Sequence, residues 1–300
     1  MAAIYKGPKS VASPRSEGFE GEREEEWLDR AITLDRVYKK WETTNELAVG
    51  NVSFNAYCGQ VTVLLGHEGS GKTTIMKMIS GEVEASRGFI CVLNLMKGHG
   101  NRYQGRGVGY CSQQVTLFEC LTVIDHLWLF YCLKTGRSVW RDDVMSTANE
   151  RVSELSCVAK RLLTLAIALV GKSPVVLMDE PFGNLSLEAK SFFKRVIDQQ
   201  KEERCFLIAT SSAEIAEMVA DRIVALSDGR ALAAGSVPFL KTTFGCSYIL
   251  NIQLTDDASK SGDTIRSIEK CVRRYIPNAH LRQTFGKTIQ IGFSSNIQDE

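Results

Sequence analysis

The 300-residue chain has no apolar run of membrane length. Its longest, Leu165 to Val170 with Leu162, Leu163 and Thr164 just before it, falls well short of the roughly 20 apolar residues that a bilayer span needs. Met1 to Ser10 holds no apolar core of signal-peptide length. Net charge is nearly absent: 36 Lys and Arg against 35 Asp and Glu leave +1. That removes the global electrostatic case for nucleic acid or an anionic surface. No CxxC pair occurs, and the nine cysteines are odd in number and widely spaced. The four histidines (His67, His99, His126, His280) share no metal-ligand spacing. Neither a disulfide framework nor a zinc site is indicated, and Cys91, Cys132 and Cys205, set in apolar runs, read as small hydrophobes of a reduced protein. No internal repeat is visible.

What is present is an ordinary globular balance, 44% hydrophobic and 24% charged, which excludes wholesale disorder. The length allows one large domain or two modest ones. Residues 1–29 are poor in apolar side chains and end in an acidic run from Glu20 to Glu26, so they read as an exposed, flexible acidic leader. From Ala31 to Leu240, short β-rich runs, glycine turns and helical stretches alternate, the pattern of an α/β fold. Strands are expected at Val61–Leu65, Val175–Met178, Phe206–Ala209 and Ile223–Leu226; the last three are continuous apolar runs, as for strands buried on both faces. Helices are expected at Thr73–Ile79, Val123–Leu133, Ala159–Val170, Leu187–Lys201 and Ala213–Ala220. Beyond Gly235 and Pro238, Tyr248, Leu250, Ile252 and Leu254 alternate like a strand. Ile265, Ile268, Cys271, Val272 and Tyr275 recur at helical spacing, and Ile289, Ile291 and Phe293 alternate again. This tail reads as a small α+β unit of β-α-β-β order, incomplete at its end.

The sharpest signal is Gly66-His67-Glu68-Gly69-Ser70-Gly71-Lys72-Thr73, a full match to G-x-x-x-x-G-K-[ST] between a strand and an apolar helix. Glycines let the backbone wrap closely and aim its N–H groups at phosphate oxygens. The start of the following helix adds its dipole. Lys72 is placed to reach the β- and γ-phosphates, and the Thr73 hydroxyl to ligate Mg2+. Further on, Val175-Val-Leu-Met-Asp179-Glu180-Pro181 is an apolar strand ending in two carboxylates. Asp179 suits a water-mediated hold on Mg2+, and Glu180 can polarise an attacking water.

With these two motifs in order, the sequence resembles the nucleotide-binding domain of an ABC transporter, over about Ile32 to Leu240. The order that carries it is the phosphate loop, a lone Gln in Tyr110-Cys-Ser-Gln113, a helical stretch, Leu155-Ser156, then Asp179-Glu180-Pro181. The resemblance implies an α/β P-loop NTPase fold of ABC type with a helical subdomain, binding ATP and Mg2+. Gln113 matches the Q-loop glutamine, which in the family meets Mg2+ and the attacking water, so Thr73, Gln113 and Asp179 are the implied metal ligands. The implied catalytic residues are Glu180, Gln113 and Lys72. Nucleotide contacts fall to Gly66 through Thr74, with Asp179, Ser156 and Ser211. Trp41, or failing that Tyr38, matches the aromatic that stacks on adenine; a packing role weighs equally for it. Finer matches resemble subfamily A, whose members are similar to lipid exporters: Leu64-Leu65-Gly66-His67, Leu117-Phe118 with Leu121-Thr122-Val123 and His126, and Asp221-Arg222-Ile223 with Asp228-Gly229. Phe239-Leu240-Lys241, Gly245 and the tail resemble this subfamily's cytosolic regulatory domain, ferredoxin-like in outline. The implied domains are 1–29 (leader), 30–240 (nucleotide-binding) and 241–300 (partial regulatory).

Four departures stand out. Leu155-Ser156-Cys157-Val158 replaces the family's Leu-Ser-Gly-Gly, adding Cβ bulk where a partner's γ-phosphate sits. Ser211 stands where the switch histidine belongs, and Ser186 where the D-loop aspartate does. The stretch from Gln113 to Leu155 is short for the family, which implies a reduced helical subdomain. ATP binding is thus intact by motif, while hydrolysis is weakened, because phosphoryl transfer depends on positioning.

Two readings follow. The first is a transporter motor that closes head to tail with a second cassette. Residues Val115 to Phe130 would dock on transmembrane domains of the full-length protein or another chain, at the cytosolic face of a membrane. The alternative is a pseudo-ATPase regulatory module of a transporter complex. A soluble cassette acting on ribosomes or DNA is weaker, since neither paired cassettes nor long coiled coils are visible. The length itself suggests a piece of a larger transporter.

Overall fold

The computed structural model describes residues 19–22, 28–93, 95–97, 107–137, 149–183, 185–244, 248–254, 262–277, 279–285 and 288–293. Contacts divide the chain into two units, Met1–Ser236 and Val237–Glu300. The first unit holds β1 (Glu20–Gly21), β2 (Arg30–Lys40), β3 (Leu47–Tyr57), β4 (Val61–Leu65), α1 (Lys72–Ser80), β5 (Arg87–Val92), β6 (Leu95–Lys97), β7 (Val108–Cys111), α2 (Val123–Thr135), α3 (Cys157–Leu169), β8 (Val175–Asp179), α4 (Leu187–Gln200), β9 (Cys205–Thr210), α5 (Ala213–Val219), β10 (Arg222–Ser227) and β11 (Arg230–Ser236).

Among the described residues, one sheet runs β1-β11-β10-β4-β9-β8-β7 and a second runs β3-β2-β5-β6. Strands β10, β4, β9, β8 and β7 are mutually parallel. That is why their central residues are mostly apolar: every residue of β8 and of β9 is buried. The β2–β3 and β2–β5 pairs are antiparallel. Helix α1 fills the space between the sheets, and its Ile75, Met76, Met78 and Ile79 share one core with Val37, Val52, Phe54, Val175 and Leu207. A parallel sheet collects the carboxyl ends of its strands along one edge, which is where such folds bind ligands. Here that edge gathers the loops after β4, β7, β8, β9 and β10.

Helices α2 and α3 form a small side cluster around Leu127, Val152, Leu163 and Ile167. Helix α3 lies close against β7 because Gly109 has no Cβ; one there would overlap the Ala168 carbonyl. Lys134 closes the end of α3. Its ammonium donates to the carbonyls of Ile167 (2.7 Å), Ala168 (2.9 Å) and Val170 (3.1 Å) and to Ser173 Oγ (3.2 Å), and burial pulls its pKa down to about 8. His126, fully buried, accepts the Phe118 N–H at Nε2 (2.9 Å) and faces the Thr122 carbonyl with Nδ1 (2.9 Å). It is a satisfied core histidine that shapes the turn into α2. Residues 138–148, inside the stretch expected to be short, lie outside the described residues.

The leader is not wholly an exposed linker. Glu20–Gly21 pairs in parallel with β11. The next carboxylate, Glu22, accepts the Ser236 N–H (2.6 Å) and hydroxyl (3.0 Å) and lies 3.8 Å from Arg222. Acidic composition hid this because the strand is held by backbone pairing and one salt-bridged glutamate, neither of which needs apolar side chains.

The second unit comprises α6 (Val237–Phe244), β12 (Tyr248–Gln253), α7 (Gly262–Tyr275), β13 (His280–Phe285) and β14 (Thr288–Phe293). Its antiparallel sheet has the order β12-β14-β13. Ala279, Ile289 and Ile291 form its core, with Ile252, Ile265, Ile268, Val272 and Ile276 packed on them. The apolar stripe of α7 continues to Ile276; Cys271 and Tyr275, expected on it, are exposed.

Candidate functional site

The strand ends enclose a cleft of about 680 Å3. Trp41, Glu46, Leu47 and Ala48 line it from the β2–β3 hairpin, and Glu68, Gly69, Gly71, Lys72, Thr73 and Thr74 from the loop after β4. Gln113 comes from the end of β7, Asp179, Glu180 and Gly183 from the end of β8, Ser211 from the end of β9, and Asp228 and Gly229 from the turn after β10.

The loop after β4 folds onto itself as its sequence requires. Gly71, with φ +95°, caps the start of α1; a Cβ there would meet the Ala48 carbonyl at 2.6 Å, so only glycine fits. Lys72 is 7% exposed, and its ammonium donates to the carbonyls of Gly66 (2.7 Å) and His67 (2.8 Å) and reaches Ser70 Oγ (3.4 Å). Burial lowers its pKa, and Glu180, Asp179 and Glu68 draw it back up. The His67 ring lies off to the side, against the Glu68 carbonyl and Ser227 Oγ. Gly66, His67 and Ser70 therefore support Lys72 instead of lining the cleft.

At the end of β8, Asp179 is 1% exposed and neither carboxylate oxygen has a hydrogen-bond partner of full geometry. Burial raises its pKa; the Thr73 hydroxyl, Lys72 and Arg161 act against that, and Glu180 with it. A buried carboxylate without a partner is costly unless a cation joins it. The Thr73 hydroxyl, whose oxygen is a hard ligand, faces the same point. Five acidic residues and one lysine line the cleft (Glu46, Glu68, Asp179, Glu180, Asp228 against Lys72). A polyanion entering it needs an accompanying cation, and a hard divalent ion with oxygen ligands fits Asp179 and Thr73.

Glu180 has φ +45° and precedes Pro181, a combination that stores about 1–3 kcal/mol of strain. It is held on both sides. Its carboxylate accepts the Ser211 N–H (2.6 Å) and the Thr210 hydroxyl (3.0 Å), and its carbonyl accepts Arg161 Nη2 (2.6 Å). The carboxylate thus faces the cleft from a fixed position, as a water-polarising group must.

Of the residues singled out in the sequence, the cleft brings together Trp41, Glu68, Gly69, Gly71, Lys72, Thr73, Thr74, Gln113, Asp179, Glu180 and Ser211. Tyr38 does not line it, so the aromatic at its mouth is Trp41, with Lys39 Nζ 5.0 Å from its ring centroid. Ser156 is not in it either; its hydroxyl caps α3, accepting the Ala159 N–H at 3.2 Å. Sequence reasoning missed Glu46, Leu47, Ala48, Gly183, Asp228 and Gly229 as lining residues. Asp228-Gly229 carried a signal, being a turn with both φ angles positive (49° and 72°).

Fold and loop together define a phosphate-loop nucleotide-binding domain. Residues 49–183 match the model of the family described as ABC transporter. The ABC transporter ced-7 of Caenorhabditis elegans is 31% identical over 270 residues, covering 87% of this chain and 16% of that protein. The phospholipid-transporting ATPase ABCA3 of Rattus norvegicus is 30% identical over 285 residues, covering 91% and 16%. Among solved structures, an ATP-binding subunit of an ABC transporter shares the fold with a TM-score of 0.64 at 22% identity, covering 72% of this chain and 93% of that one. A dimeric bacterial ABC transporter cassette does so at 0.61 and 20%, covering 69% and 98%. The chain carries an ATP-binding domain of the ABC transporter family, with homologues in sub-family A. It spans 16% of the length of these two curated relatives.

Proposed function

We propose that this chain binds Mg-ATP in the cleft as one cassette of a lipid-moving transporter and turns it over slowly. The observation that carries the reading is Asp179, a buried carboxylate with no hydrogen-bond partner of full geometry, set beside Thr73 at the mouth of the phosphate loop. Lys72 and the N–H groups of Gly69 to Thr74 hold the phosphates, Trp41 stacks on the base, and Thr73, Asp179 and Gln113 hold Mg2+. The ion neutralises phosphate charge that the acidic cleft cannot. Glu180 orients and polarises the attacking water. Ser211 offers its backbone N–H to Glu180 but no imidazole, so one positioning group is absent and hydrolysis is slow.

A second cassette completes the site, closing head to tail and driving transmembrane segments outside this chain. Val115, Phe118 and Trp128, exposed apolar residues at and beside α2, suit the contact with those segments. The lipid assignment rests on the sub-family A relatives, as does the cytosolic face of a membrane as the place of action; no helix among the described residues is long and apolar enough to cross one. The second unit is a regulatory domain in this reading.

The test is nucleotide binding and phosphate release by the chain, with Lys72→Ala and Glu180→Gln. Binding is expected in the wild type and lost in Lys72→Ala, with a low phosphate-release rate that falls further in Glu180→Gln. A rate equal in wild type and Glu180→Gln, with binding retained, would assign the chain to the alternative, a non-hydrolysing regulatory cassette.

A further inference from the structure

Arg161 enters the site above only as a partner of Glu180 and Asp179, yet its guanidinium ties together the two segments beneath it. It is 6% exposed. Its Nε donates to the Pro181 carbonyl (3.2 Å), Nη1 to the carbonyls of Ser112 (2.8 Å) and Gln113 (3.0 Å), and Nη2 to the Glu180 carbonyl (2.6 Å). An arginine cannot shed its charge in a protein, so burying one demands a full set of acceptors. These four belong to two neighbouring strands just past the point where their pairing stops; Cys111↔Met178 is the last β7–β8 pair. One planar fork thus takes up carbonyls that the sheet no longer serves.

Both segments it grips matter for the reaction. Ser112–Gln113 carries the glutamine that lines the cleft. Glu180–Pro181 is the strained turn that aims the carboxylate. Arg161 itself sits in the second turn of α3, four residues after Cys157, so it lies on the same helix face as the start of the altered signature segment. Its four hydrogen bonds go to these two segments, while Lys72 of the phosphate loop is held by its own loop.

We infer that Arg161 is a positioning residue: it sets Gln113 and Glu180, the metal and water side of the cleft, from helix α3, while the phosphate grip is set independently by the loop after β4. This rests on the nucleotide-binding reading above. It also makes α3 the lever of this chain's own site, since a shift of its first turns moves both gripped segments together.

The test is affinity for trinitrophenyl-ATP, measured on the full chain in EDTA and in Mg2+, for wild type, Arg161→Lys and Arg161→Met, beside the melting temperature of each. Lysine keeps the charge but lacks the fork. Affinity in EDTA is expected within about twofold of wild type, while the gain on adding Mg2+ shrinks by about tenfold, the equivalent of one charge-assisted hydrogen bond. Arg161→Lys is the variant that keeps the test decisive if Arg161→Met does not fold. An unchanged Mg2+ gain in Arg161→Lys would overturn the inference, as would affinities in EDTA and Mg2+ that fall by the same factor, the sign of a merely structural staple. A wild type that binds no nucleotide in either condition would instead overturn the nucleotide reading and this inference with it.

Discussion

Asp179→Asn should make the nucleotide-free protein more stable while removing its response to Mg-ATP. The carboxylate is 1% exposed without a hydrogen-bond partner of full geometry, and burial raises its pKa. The amide has the same shape and no charge. Relieving one unsatisfied buried charge is worth about 1–3 kcal/mol, or roughly 2–12 °C in melting temperature for a unit of this size. The sign with pH follows from the raised value. Between the ordinary carboxyl pKa near 4 and the higher folded one, the folded state keeps a proton that the unfolded chain has released. Wild-type stability is therefore lost as pH rises through that window. The variant's advantage should be absent at about pH 4, open as pH rises through the window, and persist at pH 7.

Ligand reverses the ranking. At a thousandfold excess over Kd, Mg-ATP adds about 4.1 kcal/mol to a protein that binds it only when folded. The wild type should gain this and the variant should not, so the two melting curves cross over on adding Mg-ATP. The assay is thermal melting at pH 4 to 7, with and without Mg-ATP. An Asn variant that melts below wild type at pH 7 without ligand would refute the claim that Asp179 is an uncompensated charge. So would a gap that does not change with pH.

Lys72→Ala should weaken binding of a fluorescent ATP analogue by at least about a hundredfold, roughly 2.7 kcal/mol, since among the described residues no other lysine lines the cleft; a titration with and without Mg2+ checks this. Ser211→His should raise phosphate release by about a hundredfold, the lower range for a positioned acid–base group, and the gain should vanish when combined with Glu180→Gln. Lys134→Met should cost about 2–4 kcal/mol in urea unfolding, because it strands the carbonyls of Ile167, Ala168 and Val170 at the end of α3 and the Ser173 hydroxyl. It should leave ATP affinity within about twofold of wild type.

The site divides by how local its signals are. The loop from Gly66 to Thr73 was legible because its job is done by contiguous residues: glycine dihedrals, helix start, ammonium and hydroxyl follow one another along the chain. Asp179-Glu180 was legible because a strand buried on both faces must be apolar, so the charges that end it stand out. Antiparallel β2, β3 and β11 were not foreseen. Register shifts break the pairing of β2 and β3, and β11 reads Arg-Ala-Leu-Ala-Ala-Gly-Ser, with little β preference. As a result the β2–β3 hairpin residues Glu46 to Ala48 were missed, though they wall the cleft. Arg161 was hidden for a deeper reason. An arginine in a helix reads as a solvated face, and only the meeting of β7, β8 and α3 shows that it has four carbonyls to serve.

The altered signature segment can be read the same way, by asking what each position owes to its own chain. Ser156 caps α3 through its hydroxyl, worth about 1 kcal/mol to the helix, and it matches the family. Cys157 and Val158 occupy the first two helical positions, where glycine would cost helix stability and has no internal role. Their side chains therefore suit α3 at least as well as two glycines. In the proposed head-to-tail dimer, what they would remove is room for another subunit's phosphate. Neither Cys157 nor Val158 lines the domain's own cleft, and in that dimer both fall where the domain would serve a neighbour. Under the proposed function such a pattern would separate the two sites of a dimer. A cassette with this α3 would hold nucleotide in its own loop while offering little to its partner's. Restoring glycine at both positions should then change the turnover of the assembled pair and leave the affinity of the isolated chain where it was.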